Sequence, residues 1–308
     1  MRAVLVVNPQ ATSTTAAGRD VLGHALASEL KLEIVETAYW GHAADTARAA
    51  VADGVDLVIA HGGDGTVNEI VNGIFSVAEV GDPSVPMLGV VPGGSANVFA
   101  RALGLPRDPI EATYRLLRAV AEGSSRWVGL GRADERWFTF NAGVGWDADV
   151  VAEVERLREH GREVTPALYA RTALACYFRT ARRDPRITVR FDGEDPVDHV
   201  HSLFVCNTDP WTYLGSHPVR MCPETTFDNG LGAMAVTGMN VYAVLRQVAD
   251  MLRDRAKPHG RNSFRRANVG SLRVTCEEPL RLQVDGDSVG ERSEVEFRSI
   301  SDALRVAV

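Results

Sequence analysis

Among its 33 basic residues the chain has only two lysines, Lys31 and Lys257, and neither follows a glycine-rich segment. A Walker-type phosphate loop, GxxxxGK[ST], is thereby excluded. Neither of the two glycine loops has GxGxxG spacing, which excludes the dinucleotide fingerprint. No uninterrupted apolar run reaches the roughly 20 residues of a membrane span, so no transmembrane helix is expected. The opening MRAVLVVNP has one arginine and too short an apolar run for a secretory leader, and it reads as a first β-strand. Cysteine is scarce. Cys176, Cys206, Cys222 and Cys276 are widely spaced with no CxxC pair, so neither a zinc site nor a disulfide framework follows, and a reducing cytoplasm fits. Positive charge is also in deficit: a net charge of −7 excludes a general nucleic-acid binder.

What is present is the composition of an ordinary globular chain, 45% apolar and 24% charged, and 308 residues suffice for two domains with a sizeable core. The charge is uneven. Residues 156–190 carry nine arginines against three acids, and residues 246–273 carry eight Lys or Arg against two, so each stretch is +6. Solvated helix faces and docking to anionic lipid are both open readings of these stretches.

Short β-branched runs at Ala3–Val7, Leu32–Val35, Val55–Ala60 and Met87–Val91 read as buried parallel strands. Helical patterns lie between them. Residues 17–30 place Val21, Leu22, Ala25, Leu26 and Leu30 on one face; residues 42–52 are Ala-rich; Thr66–Phe75 aligns Val67, Ile70, Val71 and Ile74. The next helix has its own punctuation: Asp108 as N-cap, Pro109 at the first position, Glu111 to complete a capping box, and Gly123 to end it. Ile110, Tyr114, Leu117 and Ala121 are its expected apolar stripe. The order predicts an α/β domain over residues 1–126, a parallel sheet with helices on both faces, and ligands outside the carboxyl ends of the strands.

From about residue 127 to 308 strand-like runs recur closely: Trp127–Leu130, Trp137–Asn141, Ile187–Phe191, His199–Cys206, Gly232–Thr237, Val269–Cys276, Leu280–Val284, Val295–Ile300 and Leu304–Val308. Such spacing predicts a β-rich, antiparallel, sandwich-like second domain, interrupted by helices near 147–181 and 239–256. A return of its last strand toward the first domain is compatible with this order.

Two loops carry the chemistry. In Asp56-Leu-Val-Ile-Ala-His61-Gly62-Gly63-Asp64-Gly65-Thr66-Val-Asn68-Glu69 a hydrophobic strand ends, three glycines surround one carboxylate, and a helix begins at Thr66. Glycine admits positive φ and lets a phosphate approach the backbone, and a helix N-terminus favours an anion. A carboxylate among phosphates implies Mg²⁺ between them, which makes Asp64 the candidate metal residue. The plain alternative is a tight strand-to-helix turn. The second loop, Gly89-Val-Val-Pro92-Gly93-Gly94-Ser95-Ala96-Asn97-Val98, repeats the design after the next strand, and two such loops on neighbouring strands would face one ligand.

At these residues the chain resembles the diacylglycerol kinase catalytic-domain family, which also includes sphingosine and ceramide kinases. The resemblance rests on GGDGTVNE and PGGSANVFARALGLP, on Asn8-Pro9, on Asn141-Ala-Gly143-Val-Gly145-Trp-Asp147-Ala, on Asp228-Asn229-Gly230-Leu231 and on Gln283-Val-Asp285-Gly286-Asp287, in that family's order. It implies two domains with ATP and Mg²⁺ in the cleft between them, phosphorylation of a lipid hydroxyl, most readily diacylglycerol, and a cytoplasmic protein that visits the membrane surface. A homodimer is compatible with it. Carried over by position, Asp285 matches the general base and Asp64 the acid near the phosphates. Asn8, Gly62, Gly63, Gly65, Thr66, Glu69, Gly93, Gly94, Ser95, Asn97 and Asp287 match the nucleotide-binding set. By its residues alone, Asp285-Gly286 reads as a hairpin turn.

The chain departs from the family pattern in places. Gln10-Ala11-Thr12-Ser13-Thr14-Thr15 replaces a small residue and glycine, although those hydroxyls suit phosphate or ribose. Val98 stands where bacterial members carry Asp. Asn229 replaces an Asp, and Thr226 another ligand, of a structural Mg²⁺ site, which argues against that second metal. His61 reads as packed or bonded to backbone. Trp211, Tyr213 and Leu214 read equally as a lipid entrance or as core cover. The helix at 241–252 reads by default as core packing through Val241, Val244, Leu245, Val248, Met251 and Leu252, with interfacial membrane contact as its other reading. Two competing functions remain: a kinase of a soluble acceptor such as NAD, and a lipid- or nucleotide-binding regulator without catalysis.

Overall fold

The computed structural model describes residues 1–12, 14–162, 165–184, 186–253 and 262–308. Ser13, Glu163 and the basic residues Arg255, Lys257 and Arg261 of the second cationic stretch lie outside the described residues. The chain forms two compact units, Met1–Leu130 with Ser301–Val308, and Gly131–Ile300.

The first unit is α/β. Strands β1 (Arg2–Val7), β2 (Lys31–Glu36), β3 (Leu57–Gly62) and β4 (Met87–Pro92) alternate with helices α1 (Ala16–Ala27), α2 (His42–Ala52), α3 (Asp64–Ile74), α4 (Val98–Ala102) and α5 (Pro109–Glu122). The strands pair in parallel in the order β4-β3-β1-β2. Alternation along each strand divides the side chains between two layers. Ala3, Leu5, Val7, Leu57, Ile59 and Val91 meet Leu22, Leu26 and Leu30 of the α1 region and Leu116 and Ala119 of α5. On the other side α2 lies so close to α3 that a Cβ at Gly73 would strike the Ala44 backbone. The C-terminal residues belong here because Val306 pairs in parallel with Leu88, Ala307 N–H donates to the Leu88 carbonyl at 2.9 Å, and Ala307 joins the core. The domain division expected after residue 126 thus falls four residues before the observed one, and Ser301–Val308 belong to the first unit.

Sequence periodicity misplaced one helix face. In α5 the buried residues are Ala112, Thr113, Leu116 and Ala119, whereas Ile110 and Tyr114, expected inside, are each 65% exposed. Small residues let the helix sit closely on β4, where a Cβ at Gly89 would lie 3.0 Å from Leu116 Cδ1. Its N-cap and C-cap residues are as read: Asp108 accepts from Glu111 N–H at 2.9 Å and Gly123 takes φ 66°, while the Glu111 carboxylate lies 3.7 Å from Arg115. Val21 of α1 is likewise exposed.

The second unit is β-rich and antiparallel. It contains β5 (Arg126–Ala133, entering from the first unit), β6 (Arg136–Phe138), β7 (Asn141–Gly145), α6 (Trp146–Glu159), α7 (Pro166–Thr180), β8 (Ile187–Phe191), β9 (Val197–Val200), β10 (Ser202–Cys206), β11 (Thr212–Leu214), β12 (His217–Val219), β13 (Leu231–Val236), α8 (Val241–Met251), β14 (Ser263–Val269), β15 (Ser271–Val284) and β16 (Asp287–Val306). Its strands run β14-β13-β10-β7-β15-β16, and β8 also pairs with β15 and with β9. Phe138, Ile187, Val189, Leu203, Val205, Leu231, Leu272, Val274, Leu282, Val295 and Phe297 close one shared core. The runs expected as separate strands around residues 277–279 form one strand. Glu277–Pro279 is a register shift within β15, where an irregularity absorbs the proline. The β11–β12 hairpin and β14 were not legible, because their residues do not alternate in hydrophobicity. Among the described residues no helix is long and apolar enough to cross a membrane.

Candidate functional site

In the first unit the two glycine loops touch backbone to backbone. Gly93 N–H donates to the Gly62 carbonyl at 2.7 Å. A Cβ at Gly94 would lie 2.6 Å from Gly63 Cα, and one at Gly93 would lie 3.1 Å from Gly62 Cα. These four glycines are required by the absence of a side chain rather than by dihedral freedom, since none of them has positive φ. Gly65 differs: a Cβ there would meet nothing within 4 Å. It occupies the second residue of α3, where unsatisfied N–H groups and the positive end of the helix dipole favour an anion.

The side chains around the loops divide into fasteners and exposed groups. The helix α3 starts at Asp64, two residues ahead of the expected Thr66, and Asp64 Oδ1 accepts from Phe99 N–H of α4 at 3.1 Å, fastening one loop to the helix after the other. Asn97, buried at φ 48°, closes the second loop on itself. Its Oδ1 accepts from Gly94 N–H at 2.9 Å and its Nδ2 donates to the Gly94 carbonyl at 2.6 Å. Asn8 N–H donates to the His61 carbonyl at 2.9 Å, and its amide donates to Thr66 Oγ1 at 3.3 Å, which joins the end of β1 to the first loop. Glu69 Oε2 accepts from Ala43 N–H at 3.2 Å and so serves the start of α2. Ser95 is exposed at the crown of the second loop. His61 donates from Nδ1 to the Val91 carbonyl at 3.2 Å, and burial holds its pKa below the ordinary histidine value, so it stays neutral.

One buried hydroxyl in this neighbourhood has no partner among the described residues. Thr14 Oγ1 is buried without a hydrogen bond and would be 3.0 Å from a Cβ at Gly93. A buried unpaired donor beside a glycine loop and an open helix start suits the oxygens of a phosphate group. Thr15 is already used as the α1 N-cap, accepting from Gly18 N–H at 3.0 Å.

In the second unit Asp285 and Gly286 are the two central residues of the β15–β16 hairpin, flanked by the Val284–Asp287 pair, with φ of 49° and 84°. Positive φ at both positions is the type I′ turn for which Asp-Gly is suited. The Asp285 carboxylate does not point to water. Oδ2 accepts from Thr139 N–H at 2.7 Å and Thr139 Oγ1 at 2.8 Å, and Oδ1 accepts from the N–H groups of Phe140 and Asn141, each at 3.0 Å. A carboxylate has about four lone-pair sites, so these donors fill it. Asp287 opens β16 beside this turn, and Ser288 N–H donates to Glu155 Oε1 at 3.1 Å.

A second buried acid supports the same turn. Gln283 Nε2 donates to Asn141 Oδ1 at 2.9 Å and to Asp147 Oδ2 at 2.7 Å, while Gln283 Oε1 accepts from Gly286 N–H at 3.0 Å. Burial pushes the Asp147 pKa up to about 7, against the opposing pull of the Gln283 bond. Nothing in the sequence marks this relay except the spacing that puts Gln283, on β15, two residues ahead of Asp285 in the turn.

The model of the diacylglycerol kinase catalytic domain matches residues 2–132, the segment that holds both glycine loops. The diacylglycerol kinase of Staphylococcus aureus is 39% identical over 253 residues, 82% of this chain and 74% of that protein. The chain belongs to the diacylglycerol kinase catalytic-domain family. Among other members of this lipid kinase family, the diacylglycerol kinase of Bacillus subtilis is 27% identical over 81% of this chain and 77% of its own length. The crystal structure of a diacylglycerol kinase from Bacillus anthracis superposes with a TM-score of 0.72 at 19% identity, covering 99% of this chain and 96% of that one, a likeness of fold.

Against that family pattern, Val98 is buried at the start of α4. The Asn229 amide donates to the Glu224 carbonyl at 3.2 Å, and Thr226 Oγ1 accepts from Asp228 N–H at 3.3 Å, so both positions serve their own loop. Trp211 is half-buried with its ring 5.9 Å from that of Phe204, as core cover, while Leu214 at the hairpin end is exposed.

Proposed function

We propose that this protein transfers the γ-phosphate of ATP to a hydroxyl of a membrane lipid, with diacylglycerol the expected acceptor and phosphatidic acid the product. The observation that carries the reading is the joined pair of glycine loops, with open space at Gly65 and an unpartnered Thr14 hydroxyl beside Gly93. Family membership supports the same chemistry. Backbone N–H groups of the α3 start, Thr14 and the exposed Ser95 are the groups that would bind phosphate oxygens. Asp64 would hold Mg²⁺, which supplies charge neutralisation to the phosphates. In the transfer, the lipid oxygen bonds to the γ-phosphorus as the bond to the bridging oxygen breaks, and ADP leaves.

The lipid hydroxyl must also lose a proton. Asp285 can take it when one of the four donors named above withdraws. Three are backbone N–H groups fixed in place; the fourth, the Thr139 hydroxyl, can rotate away from Oδ2. The same occupancy favours a second reading, a nucleotide- or lipid-binding protein without turnover.

One experiment separates them: transfer from γ-labelled ATP with Mg²⁺ to dispersed diacylglycerol, ceramide and a sphingoid base, and to NAD, with Asp64→Asn alongside. Asn keeps the acceptor for Phe99 N–H and loses the charge. A labelled lipid formed by the native chain and not by this variant is the expected result. Nucleotide binding with no labelled product of any kind overturns the kinase reading, and labelled NAD moves the acceptor to the soluble class.

A further inference from the structure

The helix α8 has an apolar face wider than the core it covers. Its inner side is formed by Val244, Gln247 and Met251: Met251 is buried with Met234 and Val236, Val244 packs on that cluster, and the Gln247 amide donates to the Met234 sulfur at 3.1 Å. Val241, Leu245 and Val248 follow one another at i, i+4 and i+7 along the adjoining side and are 52%, 63% and 40% exposed, with Tyr242 beside them at 76%. A single exposed apolar side chain is ordinary, but four on an 11-residue helix make a patch. Core packing, the default expectation for this helix, accounts for only half of its apolar residues.

The border of the patch is cationic. Arg246 and Arg253 are largely exposed and share the single carboxylate of Asp250, at 3.9 and 2.8 Å. The Tyr177 phenol donates to the Met239 carbonyl at 2.7 Å, immediately ahead of the Asn240 N-cap, and so holds the end of α7 beside the start of α8. That end of α7 adds the exposed Phe178, followed by Arg182 and Arg183, which form no ion pair among the described residues.

We propose that this face of α8 docks on the surface of an anionic lipid bilayer, with Val241, Tyr242, Leu245 and Val248 entering below the headgroups and the arginines meeting lipid phosphates. Apolar residues with a basic border are what an interfacial helix requires. Charge complementarity selects the bilayer over a second copy of the chain, because a twofold contact through this face would set Arg246 and Arg253 against their own copies. The inference rests on the lipid-acceptor reading, which gives the surface its use.

The test is sedimentation of the full chain with vesicles of phosphatidylcholine alone and of phosphatidylcholine with phosphatidylglycerol, for the native protein and for Tyr242→Ser/Leu245→Glu. Circular dichroism and the melting temperature establish that the variant folds; Leu245→Ser alone serves if it does not. The native chain is expected to bind the anionic vesicles, to bind neutral ones weakly, and to be released by salt. The variant is expected to bind at least about tenfold more weakly. Equal binding by a folded variant overturns the proposal, as does a native dimer in solution that the same substitutions dissociate. Transfer to a short-chain, monomerically dissolved diacylglycerol keeps the two readings apart. The variant should retain the native rate there, whereas a native chain that binds vesicles but phosphorylates no lipid would refute the kinase reading and leave the docking surface standing.

Discussion

The Asp285 carboxylate takes both the backbone N–H and the hydroxyl of Thr139, at 2.7 and 2.8 Å. With Phe140 and Asn141 supplying two more donors, residues 139–141 are held to the β15–β16 turn. Asp285→Asn replaces one acceptor oxygen by an NH₂ group facing buried N–H donors. It is expected to cost about 3 kcal/mol of stability, read by urea unfolding. Thr139→Val removes only the rotatable donor and should cost about 1 kcal/mol. Its activity should be retained, because Oδ2 gains an open site. A Thr139→Val protein with normal stability and no transfer would count against the withdrawal of that hydroxyl as the step that frees the base.

The glycines of the first unit separate packing from ligand binding. Gly94→Ala places a Cβ 2.6 Å from Gly63 Cα and should force the loops apart, lowering stability by about 1–3 kcal/mol and weakening ATP binding with it. Gly65→Ala meets no protein atom and lies in a helix, so stability should be unchanged or up to about 1 kcal/mol higher. If phosphates occupy that space, ATP affinity by calorimetry falls about tenfold all the same. Unaltered affinity in Gly65→Ala would remove the phosphates from this helix start.

Thr14 offers a parallel check. Its Oγ1 is buried without a partner, so Thr14→Val should leave the unliganded protein as stable as before or slightly more so. ATP binding should weaken about fivefold, the loss of one hydrogen bond to a charged oxygen. A large drop in melting temperature without ATP would mean the hydroxyl has a structural partner instead.

Asp147 predicts a pH dependence of stability. Its folded pKa, pushed up to about 7 by burial, lies above the roughly 4 of an unfolded Asp. Between those values the folded state binds the extra proton. This group's contribution is therefore most favourable below about pH 4, declines as pH rises toward 7, and is level above it. Asp147→Asn should flatten that decline and be more stable than the native chain by roughly 2 kcal/mol at pH 8, while Asn Oδ1 still accepts from Gln283. Urea unfolding of both proteins across pH 5–8 measures it, and parallel curves would refute the assignment.

Much of this protein was legible in its residues one by one. Apolar runs located β1 to β4, whose partners lie tens of residues away, while the caps of α5 at Asp108 and Gly123 and the Asp285-Gly286 hairpin were legible because they depend on bonds between near neighbours in the chain. The glycine loops were legible as a pair because glycine is required wherever backbone must approach backbone. Tertiary structure alone decided which face of α5 is buried, since two stripes of one helix compete and close packing on β4 chose the smaller residues. It alone showed that Asp64 and Asn97 fasten the loops, that Asp285 is filled by donors about 145 residues away in sequence, and that α8 leaves half its apolar residues in water. Apart from the local bonds of Asn97 to Gly94, these depend on how distant segments meet, and a side chain's partner across the fold is not written in its local sequence.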